Sequence, residues 1–396
     1  MRYNRFLGTA LDDAIAEFSK KNDKADMFLK QFLRYRKIGK RDREWVRDRF
    51  FFFLRHKLLF KNLEGFNLSH MISMVYDDEP EEALKVQIDN LKDSGEYDKL
   101  FYFSFTKYLK AKIDETTEDI NVFKWLNVKP ETTIRTNLQK TTRNDLKKEL
   151  LELGFETVET ELSPAGLIFS DNVPNMTQSE MFKKGLFEFQ DEASQLSSLL
   201  AKGSFKNFYE PCAGAGGKSL AAHTFFPKLK IINSDIRTAI FKEIKSRADK
   251  AGAKIETINP EVSLKRSFDT VFVDAPCSGS GILRRNPGDR WTISEKLVNK
   301  LNTTQKGILA DASKRVRRGG ELIYVTCSFL KEENEAIIEN FLENNPNFEL
   351  VSASQRLLEN IGNKKDISNI VDGMFFKTAP LFPRDQMFGA ILKRMP

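Results

Sequence analysis

The sequence predicts a doubly wound α/β domain in its C-terminal half, preceded by a small α+β module and an all-α N-terminal region. Three observations carry that prediction. From Phe205 onward strands, glycine or polar turns and helices alternate; after Pro130 β-branched runs flank one short helix; and from Leu11 to about Lys124 apolar residues recur at three- and four-residue spacings.

Taken in order, "LDDAIAEF", "ADMFLKQFLRYRKI", "WVRDRFFFFLRHKLLF" and "KLFYFSFTKYLKAKI" each place an apolar stripe on one helical face, which assigns residues 1–125 to an all-α domain. Within it Arg34, Arg36, Lys37, Lys40, Arg41, Arg43, Arg47, Arg49, Arg55 and Lys57 surround Trp45 and four consecutive phenylalanines. Two readings stand: a core helix with solvated charges, or a basic helix facing nucleic acid. Residues 126–184 read as the α+β module. The run "TTIRTNL" is a strand, "TRNDLKKELLELG" a helix with an Asn/Asp start and a glycine stop, and "ETVETEL" and "GLIF" are strands. The third domain, 185–396, opens with the strand in "KKGLFEFQ" and the helix "DEASQLSSLLA".

From there "NFYEPCAGAGG" is a strand and turn leading to the helix "KSLAAHTFF". The strand "KIINSD" leads to "RTAIFKEIKSRADKAG", "KIETINP" follows, and "FDTVFVDAP" ends a strand. The stretch "LNTTQKGILADASKRVRRGG" reads as a helix with Gly-Gly at its C-cap, before the strand "ELIYVTC" and the helix "KEENEAIIENFLENN". In such a sheet ligands bind beyond the carboxyl ends of the strands, and Cys212, Cys277 and Cys327 all fall there.

Composition narrows the function. A chain of 396 residues with a formal charge of +7 and a pI near 9.0 suits a polyanionic partner. Three cysteines without CxxC or CxxH spacing argue against both a disulfide framework and a zinc site. No run reaches the roughly 20 uncharged apolar residues of a membrane span, and the acids near the start do not fit a signal peptide. A cytoplasmic monomer without a metal or a membrane partner is expected.

The stretch "YEPCAGAGGKSL" ends like a phosphate-binding loop, yet Cys212 stands where that loop needs a glycine. The dinucleotide fingerprint fails as well, at Ser219. What remains is a glycine turn at Gly214, Gly216 and Gly217, with Asp235 ending the next strand. That pairing suits a nucleoside-containing cofactor whose ribose hydroxyls bind the acid.

The segments "CAGAGGKS", "DAPCSGSGILRRNPGDRW" and "TCSFLKEENEA", in this order, resemble the motifs of the RsmB/NOP2/Sun family of S-adenosylmethionine-dependent RNA cytosine-C5 methyltransferases. Further, "FEFQDEASQL" is similar to the family's lead-in to the first strand, "TTIRTNL" to its RNA-binding module and "DQMFGAILKR" to its closing strand. The resemblance covers nearly all of the chain after about residue 130. The helical region more weakly resembles the NusB-like domain of the bacterial 16S rRNA members.

The resemblance implies a Rossmann-like class I methyltransferase fold and S-adenosyl-L-methionine as cofactor. It implies Cys327 as the nucleophile that adds to C6 of cytosine and Cys277 as the thiol that assists release. Asp274 would hydrogen-bond the cytosine edge, carrying a proton if it donates to N3, and Lys218 would reach the base. Cys212, Ala213, Gly214, Ala215, Gly216, Gly217, Lys218, Asp235, Asn259 and Asp274 would hold the cofactor, with Asn259 standing where the family usually has Asp. Arg284, Arg285, Arg290 and Trp291 would contact RNA. Small-subunit rRNA is the implied substrate; tRNA, or a catalytically idle role in ribosome assembly, is the alternative.

Overall fold

In the computed structural model the protein is described over residues 4–21, 24–36, 38–170, 176–362, 366–379 and 384–396. Two compact units emerge: residues 1–129 with 282–295, and residues 130–281 with 296–396.

The first unit is helical. Its main helices span Arg5–Phe18, Ala25–Arg34, Lys40–Arg55, Leu68–Tyr76, Glu82–Asp93 and Lys107–Thr116. Leu11, Phe28, Val46, Phe50, Leu59 and Ile72 form its core. The four phenylalanines divide as a helical face demands: Phe50 and Phe53 are buried, while Phe51 and Phe52 pack at the margin. The basic run divides too. Arg49 is buried between the Trp45 and Tyr76 rings and paired with Asp77, whereas Lys40, Arg41, Arg43 and Arg47 are exposed. Lys37 lies outside the described residues.

The second unit holds two sheets. Strands β1 (Thr133–Thr136), β2 (Thr157–Glu159), β3 (Gly166–Phe169) and β4 (Phe187–Phe189) form an antiparallel sheet in the order β2-β3-β1-β4. Here the structure departs from the sequence expectation, because the "LFEF" strand, expected to open the third domain, pairs with β1 of the small sheet. The small sheet therefore runs past the expected boundary at residue 184.

The larger sheet comprises β5 (Asn207–Glu210), β6 (Lys230–Asn233), β7 (Ile255–Thr257), β8 (Phe268–Asp274), β9 (Val316–Thr326), β10 (Phe348–Val351), β11 (Val371–Asp372), β12 (Phe375–Lys377) and β13 (Phe388–Arg394). Its order is β11-β12-β13-β9-β8-β5-β6-β7, with β10 also pairing with β13. Strands β5 to β9 run parallel and β13 is antiparallel to β9, a Rossmann-like doubly wound arrangement. The central strands are buried on both faces, as a helix-covered parallel sheet requires. Phe208, Phe272, Ile323 and Val325 pack into one apolar layer; Tyr209, Val271, Val273 and Tyr324 pack into the other.

A second departure concerns Gly319-Gly320. The helix Glu295–Ser313 ends before this pair, which lies inside β9. Gly319 takes φ +70°, and a Cβ on Gly320 would stand 2.8 Å from the Asp269 carbonyl oxygen, so both glycines serve the irregular β8/β9 pairing there.

Candidate active site

Strands β8 and β9 bring two thiols together. Asp274, the last residue of β8, is in register with Val325 of β9, and Cys277 and Cys327 lie two to three residues beyond these partners. Their Sγ atoms are 3.3 Å apart. The hydrogen bond to Cys327, reinforced by burial, raises the Cys277 thiol well above the usual thiol range. Cys277 therefore keeps its proton and can donate it to Cys327 Sγ.

The two loops that carry these thiols are pinned by residues to which the sequence reading gave no role. The buried Glu333 carboxylate accepts from the Ser278 N–H at 2.8 Å, the Ser278 hydroxyl at 2.5 Å and Gln305 Nε2 at 3.1 Å. Asn334 accepts from the Thr326 hydroxyl at 2.6 Å and donates to the Ser328 carbonyl at 2.9 Å. The Ser280 and Ser328 hydroxyls are 2.9 Å apart, and the Gly281 N–H donates to the Cys327 carbonyl at 3.0 Å. Both Glu333 and Asn334 stand in "KEEN", but only the fold reveals what they hold.

Lys218 is buried beside this edge. Its ammonium donates to Ser194 Oγ at 2.7 Å and lies 3.7 Å from Asp274 Oδ2. These three residues line a cavity of about 340 Å³, together with Arg135, Gln190, Arg247 and the glycine turn from Cys212 to Ala215 and Gly217. Neither catalytic-candidate thiol is part of that lining.

A second cavity, of about 390 Å³, opens over β5 and β6. Cys212 and Asp274 belong to both cavities, while Ser234, Asp235, Ile236, Pro260 and Ile308 line only this one. Burial pushes the Asp235 carboxyl upward, but hydrogen bonds from Arg237 and from the Gly214 N–H outweigh it and hold the group below its ordinary value. Asp235 Oδ2 accepts from Gly214 N at 2.9 Å, and Oδ1 accepts from Arg237 N at 2.8 Å and Arg237 Nε at 3.0 Å. Oδ2 also accepts from Arg237 Nη2 at 3.1 Å, so four bonds fill the roughly four lone-pair sites of the carboxylate, and a ribose hydroxyl binds here by taking the place of the exposed Arg237 side chain. Gly214 at φ +51° and Gly216 at φ +78° make the turn that brings this backbone to the acid. Ile236, 89% exposed, supplies an apolar platform that the sequence reading missed.

Burial, aided by the Asp274, Glu210 and Asp235 carboxylates, pushes the Cys212 thiol up to about 12, so it is a neutral wall of both cavities. Asn259, expected at the cofactor, is exposed and stands at the N-cap position of the short helix Pro260–Ser263 without a side-chain capping bond, and it is Pro260 that lines the cavity. Glu210, unassigned from sequence, is fully buried beneath the loop and pushed up by burial to about 8.

The basic segment after Cys277 requires a correction. Residues 282–295 belong to the helical unit. Arg290 is 0% exposed and donates to the carbonyls of Arg55, Ser104 and Leu126 and to Asn127 Oδ1, with its guanidinium 4.3 Å over Phe105. Arg284 is buried against Trp125 and donates to the Val128 carbonyl. Trp291 donates to the Leu54 carbonyl at 2.8 Å. Buried donors are consumed by backbone carbonyls here, so Arg284 and Arg290 have no free face for a phosphate. Arg285 is half-buried.

Comparison with known proteins bears on this arrangement. Residues 199–392 match the family model "16S rRNA methyltransferase RsmB/F", and residues 105–175 match "Methyltr_RsmF/B-like, ferredoxin-like domain"; together they cover more than half of the chain. The chain belongs to the RsmB/F methyltransferase family. Among its relatives are the probable ribosomal RNA small subunit methyltransferase B of Bacillus subtilis, 30% identical over 59% of this chain and 54% of that one, and the ribosomal RNA small subunit methyltransferase B of Pasteurella multocida, 30% identical over 55% and 51%. The chain thus matches about half the length of these relatives. In fold it is similar to the crystal structure of PH0851, with a TM-score of 0.78 at 22% identity over 100% of both chains. It is also similar to NSun6 from Pyrococcus horikoshii with SFG, with a TM-score of 0.63 at 18% identity over 74% of this chain and 99% of that one.

Proposed function

We propose that this protein transfers a methyl group from S-adenosylmethionine to C5 of a cytosine in small-subunit ribosomal RNA. The observation that carries the reading is the pair of thiols 3.3 Å apart at the ends of adjacent parallel strands, beside Asp274 and Lys218. Relatives named ribosomal RNA small subunit methyltransferase B, and a fold neighbour solved with SFG, support the same substrate and cofactor.

The cavity over β5 and β6 suits the cofactor: a carboxylate at Asp235 whose exposed Arg237 partner a ribose can replace, an apolar surface from Ile236, Pro260 and Ile308, and a glycine turn closing one end. When bound, S-adenosylmethionine supplies an electrophilic methyl group. The chain's own residues prepare the base to receive it. C5 of cytosine is a weak nucleophile, so the Cys327 thiolate first adds to C6, forming the S–C6 bond and pushing electron density toward C5. Cys277, which keeps its proton, donates a hydrogen bond to Cys327 Sγ; it stabilises that sulfur before attack and again on departure, when solvent takes the C5 proton, the C5–H electron pair re-forms the C5–C6 double bond and the S–C6 pair returns to Cys327 as thiolate.

The test is methyl transfer to a 16S rRNA transcript, with the modified base located by bisulfite sequencing. Wild type is expected to mark a cytosine, Cys327→Ser to mark none, and Cys277→Ser to accumulate a denaturant-resistant RNA adduct. Retained transfer by Cys327→Ser alongside its loss in Cys277→Ser would reverse the roles of the thiols. Absence of any cytosine mark with wild type sinks the reading.

A further inference from the structure

We infer that Ser194 is a third contact to the target base, a hydroxyl donor for the cytosine carbonyl O2, and that Asp274, Lys218 and Ser194 together read the edge that distinguishes cytosine from uracil. The inference rests on the function proposed above and names a residue to which neither the motifs nor that reading gives a role.

Ser194 Oγ accepts from Lys218 Nζ at 2.7 Å and from Gln190 Nε2 at 3.0 Å. The orientation of the Gln190 amide is not arbitrary. Its Oε1 accepts from Arg135 Nη1, and a guanidinium has no acceptor, so the amide nitrogen must face Ser194. An ammonium likewise can only donate. Both lone pairs of the hydroxyl are therefore occupied by obligate donors, and its single proton must point elsewhere. Among the described residues no acceptor takes that proton, and Ser194 lines the cavity. What the serine offers to a ligand is a donor.

The order of groups along the cavity wall then specifies the ligand. Asp274 Oδ2, Lys218 Nζ and Ser194 Oγ follow one another at 3.7 and 2.7 Å. As a carboxylate, an ammonium and a polarised hydroxyl they present acceptor, donor, donor. The pairing edge of cytosine presents the complement: N4 donates, N3 accepts and O2 accepts. Uracil offers an acceptor at O4, against the Asp274 carboxylate, and a donor at N3, against the Lys218 ammonium, so two of its three positions meet like with like. In this arrangement Lys218 serves N3, and Asp274 acts as acceptor for the exocyclic amine.

The geometry also bears on rate. Addition of a thiolate to C6 moves negative charge into the ring toward N3 and O2, and donors already fixed at those positions stabilise it without reorganising. Ser194 is held by the helix Glu192–Ser198 and by Gln190, whose partner Arg135 comes from β1 of the small sheet. Gln190 and Arg135 are thus positioning residues. Arg135 is buried, also reaches the Gly217 carbonyl at 3.4 Å, and ties the module's first strand to the glycine turn.

The experiment compares wild type, Ser194→Ala and Ser194→Thr on a 16S rRNA transcript and on the same transcript made with 2-thiocytidine, whose sulfur accepts hydrogen bonds poorly. Loss of one such donor costs on the order of 100-fold in kcat. The alanine variant is expected to show that loss with unchanged adenosylmethionine affinity by calorimetry, and threonine is expected to restore kcat to within about ten-fold of wild type. Thio substitution is expected to slow wild type and the threonine variant, and to slow the alanine variant no further. A wild-type kcat in Ser194→Ala overturns the inference, as does equal sensitivity of all three proteins to the sulfur. If Ser194→Ala does not fold, the threonine variant decides by its thio sensitivity, and insensitivity overturns the inference. A wild-type enzyme that methylates no cytosine at all overturns the proposed function and this inference with it, whereas the preceding outcomes leave the function standing.

Discussion

Replacing Arg290 by alanine separates a structural arginine from a phosphate-binding one. The side chain is fully buried and donates to Arg55 O at 3.1 Å, Ser104 O at 3.4 Å, Leu126 O at 3.1 Å and Asn127 Oδ1 at 2.7 Å. Truncation strips a buried donor from each acceptor, at about 1–3 kcal/mol for any left unsatisfied, and leaves a void beneath Phe105. Relief of a buried charge works the other way: burial holds this guanidinium well below the ordinary arginine range, and no carboxylate pairs with it in those contacts. A net loss of about 1–3 kcal/mol is expected, the range for a substitution that leaves buried hydrogen-bonding groups unsatisfied. The readout is favourable because Trp45, Trp125 and Trp291, the chain's three tryptophans, all lie in the helical unit. Tryptophan fluorescence during urea titration therefore follows that unit. A phosphate-contacting arginine behaves oppositely, leaving the urea midpoint unchanged and lowering the salt slope of RNA binding by about one. That pattern would refute the structural assignment.

Glu210→Gln addresses the buried acid under the glycine turn. Its folded pKa near 8 exceeds the ordinary value of 4.5, so between these values the folded state holds a proton that the unfolded chain has lost. Stability from this group is present at low pH and falls as pH rises through that window, by about 1.4 kcal/mol per pH unit; hydrogen exchange at Tyr209 to Ala213 should show that slope flattened in Glu210→Gln, and parallel profiles would contradict the assignment. Asp235→Asn keeps shape but removes the charge that binds Arg237 and faces the cavity, so adenosylmethionine affinity should fall by about ten- to a hundred-fold in calorimetry; an unchanged Kd would remove Asp235 from the cofactor site. Gly281→Ala places a Cβ 2.0 Å from the Gln386 carbonyl oxygen and 3.0 Å from that of Cys327. Melting should reveal a loss of about 1–3 kcal/mol with reduced methyl transfer, and a neutral variant would mean that the loop is not held as described.

The placement of the glycine turn, both thiols, Asp274, Lys218 and Asp235 around the carboxyl ends of the strands is legible because strand-end motifs put these residues at fixed offsets from buried runs. Val271–Val273 and Ile323–Val325 announce strands by their apolar content, and whatever follows them reaches the sheet edge. Arg290 was misread for the complementary reason. An arginine in a polar loop looks solvent-facing until the helical unit shows Phe105, Asn127 and three carbonyls around it. The "LFEF" strand was misplaced because strand character is local, whereas the choice of partner, β1, is a contact across more than fifty residues of chain.

By itself the sequence determined the alternation of elements, the residue types at the strand ends and the mismatch of Cys212 with a phosphate loop, since each depends on periodicity or on near neighbours. Only the tertiary structure decided that Cys277 and Cys327 touch, that Glu333 and Asn334 brace their loops, and that Ser194, from a helix outside every catalytic motif, meets Lys218. Hydrogen bonds and burial are satisfied in space, between groups that the chain brings together from far apart, and no spacing along the sequence encodes them.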